Sequence, residues 1–195
     1  MPDQNEKFIT VVSGLPRSGT SLMMRMLEAG GIPILTDRQR QADSDNPRGY
    51  YEFEPVKQLA KDASWIPYAV GKAVKIIYVF LYHLPPTQKY KVIFLKRNLE
   101  EVVASQKVML RNRQEGDVLA DQQLMESYSD QLVALDVWLR HQSHLAVHYV
   151  DYGDTVADPV RTAFEVNQFL GLNLDTQAMA KTVEPTLHRN RSAAV

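Results

Sequence analysis

A single loop limits this chain more than any other feature. Ser13-Gly14-Leu15-Pro16-Arg17-Ser18-Gly19-Thr20-Ser21 joins an apolar run, Phe8-Ile9-Thr10-Val11-Val12, to a segment whose Leu22, Met23, Met26 and Leu27 keep a helical period until Gly30-Gly31 ends it. A strand, a glycine-punctuated turn and a helix in that order form an anion cradle. The glycines let backbone N–H groups turn inward, and the helix start adds unbonded donors and a partial positive charge, so a phosphate fits. Gly14, Gly19 and Ser21 match the spacing G-x-x-x-x-G-K-[ST], but Thr20 stands where that pattern needs Lys. In nucleoside triphosphatases the Lys reaches the β- and γ-phosphates and the next hydroxyl holds Mg²⁺. Here the nearest cation is Arg17, inside the loop, which argues for phosphate binding and against triphosphate chemistry.

The rest of the chain repeats the alternation of strand and helix. Ile32 to Leu35, Ala73 to Ile77, Lys91 to Leu95 and Leu145 to Val150 read as further strands. A short helix is expected to begin at Glu54-Pro55, and longer ones from Asn98 towards Arg113, from Asp121 to His141 and from Pro159 to Leu170, closed by Gly171. The polar stretch Asp37 to Gly49 reads as a loop, and the tail after Asp175 is weakly patterned. This predicts an α/β fold: a single three-layer domain over residues 1–195, with a core at about 7–172, a tail at 173–195 and a central parallel sheet.

Composition narrows the partners. Lys and Arg number 22 against 23 Asp and Glu, a net charge of −1, so nucleic acid is not an expected partner and any anion site has to be local. The absence of Cys removes thiolate chemistry and thiolate metal sites. The acidic start MPDQNEKF does not resemble a secretory signal, and the longest apolar stretch, Ile76 to Leu84, is far below the ~20 residues of a membrane span. A cytoplasmic protein with no membrane span is the expectation.

The fourth strand candidate ends in Lys96-Arg97-Asn98, where a Walker-type enzyme would carry a Mg²⁺-binding Asp. With the loop, this stretch resembles the sulfotransferases that use 3′-phosphoadenosine 5′-phosphosulfate (PAPS). Arg17-Ser18-Gly19-Thr20-Ser21 is similar to the loop of that family that holds the 5′-phosphosulfate. Arg97 and Ser105, in Arg97-Asn98-Leu99-Glu100-Glu101-Val102-Val103-Ala104-Ser105, resemble its 3′-phosphate motif, which requires the chain to fold back at Asn98. His148-Tyr149-Val150-Asp151-Tyr152 is similar to the family's late Tyr-Glu-Asp strand, which implies that Tyr149 lies near the adenine. Arg189 in the C-terminal Leu187-His188-Arg189-Asn190-Arg191 is the counterpart of a basic loop that adds a cation to the 3′-phosphate.

The resemblance also implies the catalytic groups. Asn46-Pro47-Arg48-Gly49-Tyr50-Tyr51-Glu52 looks like a bacterial Asn-Pro-x-Gly-x-x-Glu segment, making Glu52 the base, with Glu54 the rival carboxylate. Lys75 matches the Lys of the family's Lys-Thr-His strand end and, with Arg17, would stabilise the leaving group. Two positions depart from the pattern: Ile77 replaces the His, and Leu22 replaces the aromatic residue that stacks on adenine. No metal is called for. His141, His144 and His148 have metal-like spacing but no carboxylate partners in sequence, while Asp151 could mimic a Walker-type acid and is the one feature favouring the alternative of a Mg²⁺-dependent kinase. A catalytically idle nucleotide-binding protein is the other alternative. The acceptor stays open among carbohydrate, lipid, phenol, peptide and other small molecules, as does oligomeric state, and the acceptor pocket is expected to be open, capped by residues 36–50 or completed by another subunit.

Overall fold

The computed structural model describes residues 7–37, 39, 49–112 and 120–184. Five strands, β1 (Ile9–Gly14), β2 (Ile34–Leu35), β3 (Ala73–Lys75), β4 (Tyr90–Lys96) and β5 (Leu145–Asp151), form one parallel sheet in the order β2-β3-β1-β4-β5. β1 lies at its centre. All six residues of β1 are buried, as the β-branched run Ile9-Thr10-Val11-Val12 requires of a strand covered on both faces. The register sets Ser13 beside Phe94 and Gly14 beside Leu95, so β1 and β4 end together at one edge of the sheet. The chain crosses from one side of β1 to the other between β3 and β4, and that switch opens the crevice in which α/β sheets bind ligands.

Helices cover both faces, which gives the expected three layers. On one face α1 (Thr20–Ala29), α5 (Pro159–Leu170) and α6 (Thr176–Lys181) pack Met23, Met26, Leu27, Val166, Leu170 and Met179 against Val12, Ile93 and Leu95. On the other, α2 (Leu99–Asn112) and α3 (Asp121–Leu139) bring Val102, Leu135 and Leu139 onto Val11, Val92 and Phe94. The alternation of Val11 and Val12 between the two cores is the two-residue period of a strand.

Several boundaries differ from the sequence reading. β3 stops at Lys75, where its pairing with β1 ends, and the chain turns into a 3-10 segment, Tyr78–His83. The helix at Glu54 is also 3-10, over Glu54–Gln58, with Pro55 in its first turn. Two short helices had no periodic signal: α4 (Tyr152–Ala157), capped by Asp151, and α6, capped by Asp175. α6 docks against the far end of α1. The Gly30 carbonyl accepts from the Asp175 N–H at 3.1 Å, and Met179 fills the place a side chain at Gly30 would need, 2.8 Å from that position. No described helix is long and apolar enough to cross a membrane.

Candidate active site

The loop between β1 and α1 is a tight turn with a hydrogen bond from the Ser18 N–H to the Leu15 carbonyl at 3.2 Å. Gly14 and Gly19 have φ of 148° and 101°, and Arg17 takes φ 71° despite its side chain, a conformation uncommon outside glycine. At Gly19 a Cβ would lie 2.4 Å from the Tyr152 ring, so the position excludes any side chain. α1 starts at Thr20 with no side-chain cap and no acid in its first turn. Its N-terminal dipole is therefore unneutralised by its own helix. Ser13 and Ser18 are 0% and 1% exposed, and their hydroxyls find no partner among the described residues. Buried hydroxyls without partners are costly, and two flanking this loop fit a site built to hold an oxyanion.

The second cation group meets the loop directly. Asn98 accepts from the N–H groups of Glu100 and Glu101 at 2.8 and 3.3 Å, which starts α2 one residue after the strand's basic end and folds the chain back. Arg97 donates from Nη1 to the Arg17 carbonyl at 3.1 Å and from Nε to Glu101 at 2.8 Å. Arg17 in turn donates from Nε to the Ser105 hydroxyl at 3.0 Å. Arg17 is thus joined to both Arg97 and Ser105, 80 and 88 residues away in sequence. The Arg97 and Glu101 side chains are 9% and 10% exposed, so each charge is compensated by the other away from water.

On the opposite side of the loop, Ser21 donates to the Tyr50 carbonyl at 3.4 Å, and the Lys75 ammonium donates to the same oxygen. Lys75 also lies 3.9 Å from the Glu52 carboxylate. The Glu52 carbonyl accepts from the Thr36 hydroxyl at 2.7 Å and the Asp37 N–H at 3.2 Å, so the exit of β2 holds this segment against α1. Glu54 faces elsewhere. Its carboxylate pairs with Lys57 at 2.6 Å with both side chains at least half exposed.

Tyr149 is not brought into this cluster. Its hydroxyl donates to Asp136 on α3 at 2.5 Å, its ring packs on Phe94, and the Lys96 ammonium lies 4.1 Å from its centroid. Burial, with the Asp136 bond second, pushes its phenol up to about 12. The aromatic residue at the loop is instead Tyr152, three positions on, whose ring lies under both Gly19 and the Arg97 guanidinium, 4.4 Å from Cζ. Burial raises its phenol against the pull of Arg97. Sequence reasoning missed Tyr152 and Glu101; the i,i+4 spacing of Arg97 and Glu101 was the available signal for the latter.

Other candidates resolve into structural roles. The Asp151 carboxylate caps α4, accepting from Gly153 and Asp154 at 2.7 and 3.2 Å. His141 and His144 bond the Val137 and Leu84 carbonyls, and His148 stacks on Phe169, so the three do not converge. Leu22 packs into the core beneath α1. Arg189 and Asn46-Pro47-Arg48 lie outside the described residues.

The family model described as Sulfotransferase domain matches residues 9–193. The chain belongs to the sulfotransferase family. Solved structures share the fold of this sulfotransferase at low identity. The sulfotransferase domain of the Synechococcus PCC 7002 olefin synthase aligns with 100% of this chain and 91% of its own, at 15% identity and a TM-score of 0.59. A mouse sulfotransferase complexed with PAP aligns over 93% of this chain and 63% of its own, at 16% identity and a TM-score of 0.51. An Alicyclobacillus acidocaldarius sulfotransferase covers 95% and 98% at 18% identity, with a TM-score of 0.50. No curated protein matches the sulfotransferase significantly.

Proposed function

We propose that the enzyme moves a sulfuryl group from PAPS to a hydroxyl or amine of its acceptor. One observation carries this reading: the two hydrogen bonds that tie Arg97 to the Arg17 carbonyl and Arg17 to Ser105. They set a second, cationic phosphate reader against the phosphate loop, which suits a nucleotide phosphorylated at both ends of its ribose. The buried hydroxyls of Ser13 and Ser18 fit the same anion. PAP, the molecule such a transfer leaves behind, is the compound in the mouse relative.

In this reading Arg17, the Ser18 hydroxyl and the N–H groups of Gly19, Thr20 and Ser21 hold the 5′ end, while Arg97 and Ser105 hold the 3′-phosphate. Arg189 is the C-terminal cation offered to that phosphate, and Tyr149, 36% exposed, the aromatic offered to the adenine. Glu52 takes the proton as the acceptor oxygen or nitrogen bonds to sulfur. The bond from sulfur to the bridging oxygen breaks, and that oxygen leaves on the 5′-phosphate with Lys75 and the loop stabilising its charge. Glu52 is preferred to Glu54 because it lies beside Lys75, whereas Glu54 is spent on an exposed pair with Lys57.

Thermal unfolding with adenosine 3′,5′-bisphosphate, 5′-AMP and ATP with Mg²⁺ tests the donor assignment. Saturation to a hundred times Kd adds about 2.7 kcal/mol, which for a domain of this size raises Tm by about 5–10 °C. That shift is expected with the bisphosphate and a markedly smaller one with 5′-AMP. Equal shifts would remove the 3′-phosphate assignment, and a shift confined to Mg·ATP would overturn PAPS as the donor.

A further inference from the structure

We infer that Tyr152 is a positioning residue, whose ring fixes the Arg97 guanidinium against the phosphate loop and so sets the preference for a nucleotide carrying a 3′-phosphate. The inference rests on the donor reading above and adds to it a group that touches no phosphate itself. Tyr152 is 7% exposed and opens α4, where the Asp151 cap fixes the backbone that carries it. Its ring has two working neighbours. Gly19 presses on the Cδ2 edge so closely that a Cβ there would stand 2.4 Å away. The Arg97 guanidinium lies against the ring at 4.4 Å.

These contacts add to the restraints on one planar cation. Glu101 and the Arg17 carbonyl bind Arg97 through Nε and Nη1, both in the guanidinium plane. In-plane bonds leave the group able to tilt out of plane. An aromatic face removes that freedom and is attractive to the cation in its own right. The same ring abuts the loop at Gly19, where the turn is held by its own Ser18–Leu15 hydrogen bond, so Tyr152 sets the place of Arg97 against an already formed loop. Arg17, Arg25 and Glu101 are near enough to act electrostatically on the Tyr152 phenol, which puts the ring at the centre of the charged cluster. The ring, more than the hydroxyl, does the positioning, so Phe is the conservative replacement and Leu the disruptive one.

Calorimetric titration of the full chain with adenosine 3′,5′-bisphosphate and with 5′-AMP separates these roles. Tyr152→Phe is expected to stay within about twofold of wild type for both nucleotides. Tyr152→Leu is expected to weaken the bisphosphate about tenfold, a magnitude within the range of a desolvated cation–π contact, and 5′-AMP by less than about twofold. Because the residue acts through Arg97, the Leu change should add nothing in an Arg97→Ala background. Equal weakening of both nucleotides by Leu, additive losses in the double variant, or a tenfold loss in the Phe variant would each overturn the assignment. Should Tyr152→Leu fail to fold, Tyr152→Met removes the ring with a side chain of greater reach, and the same outcomes apply. A wild-type chain that binds the two nucleotides equally overturns the donor reading and this inference together. A wild-type preference that Leu leaves untouched overturns this inference alone.

Discussion

The two flanks of the phosphate loop are built differently. On the β4 side, half-buried Arg97, Glu101 and Arg17 meet buried Ser105 and Tyr152, hydrogen bonds of 2.8–3.1 Å hold both arginines, and a ring face lies against Arg97. On the β3 side, Glu52 and Lys75 are 30% and 11% exposed and 3.9 Å apart, and their segment is held through the carbonyls of Tyr50 and Glu52. The first flank is organised before anything binds. In the second, the backbone is fixed while the carboxylate retains access to water, which suits the proton transfer proposed for Glu52. The proposed reading thus puts binding and chemistry on opposite sides of one turn.

Changing one flank at a time should give opposite signatures. The largest effect is expected from Glu52→Gln, which keeps the shape of the side chain and removes the base. Turnover should fall about 10²–10⁴-fold, with bisphosphate affinity and Tm close to wild type, while Glu54→Gln should leave turnover within about twofold. If Glu52→Gln retains turnover and Glu54→Gln loses it, the two carboxylates exchange roles. Glu101→Gln attacks the other flank. Leaving Arg97 buried without its counter-charge should cost about 3 kcal/mol of stability, read as a Tm lower by about 6–12 °C, with bisphosphate binding weakened more than 5′-AMP binding. An unchanged Tm would mean that the ion pair is no better than a surface one.

The smallest effect is expected at Tyr149, outside both flanks. Tyr149→Phe removes the bond to Asp136 and should cost about 1 kcal/mol in urea unfolding near neutral pH. The phenol is neutral in folded and unfolded chains below its ordinary value of 10.0, so it gives no pH dependence there. Between pH 10 and about 12 the unfolded chain releases this proton while the folded chain holds it, and stability falls as pH rises. The Phe variant should lose that part of the alkaline decline. An identical decline would show that the phenol titrates alike in both states.

The residues that were legible in the sequence share a local cause. The loop, its flanking strand and helix, and Asn98 as a helix cap are written in short spacings, and the geometry follows them, whereas the pairing of Arg97 with Ser105 was implied by the family resemblance and not by spacing. Tyr152 was illegible for the opposite reason. Nothing within a few residues distinguishes it from Tyr149, and only the packing of β5 beside β4 decides which ring lies under Gly19 and which meets Asp136. α6 has the same character. Its six residues are too few for a helical period, and its stability comes from burying Met179 in the space left by Gly30.

That docking ties the order of the molecule's events together. Because Asp175 bonds the Gly30 carbonyl and Met179 seats where no side chain could grow, the helix that begins at the phosphate loop ends beneath the last described helix. The hydrogen-bonded amides of α1, from Met23 onward, should therefore exchange with solvent in openings shared with residues near 180. The stability of the proposed anion site at the front of α1 is thereby linked to a methionine packed at the back.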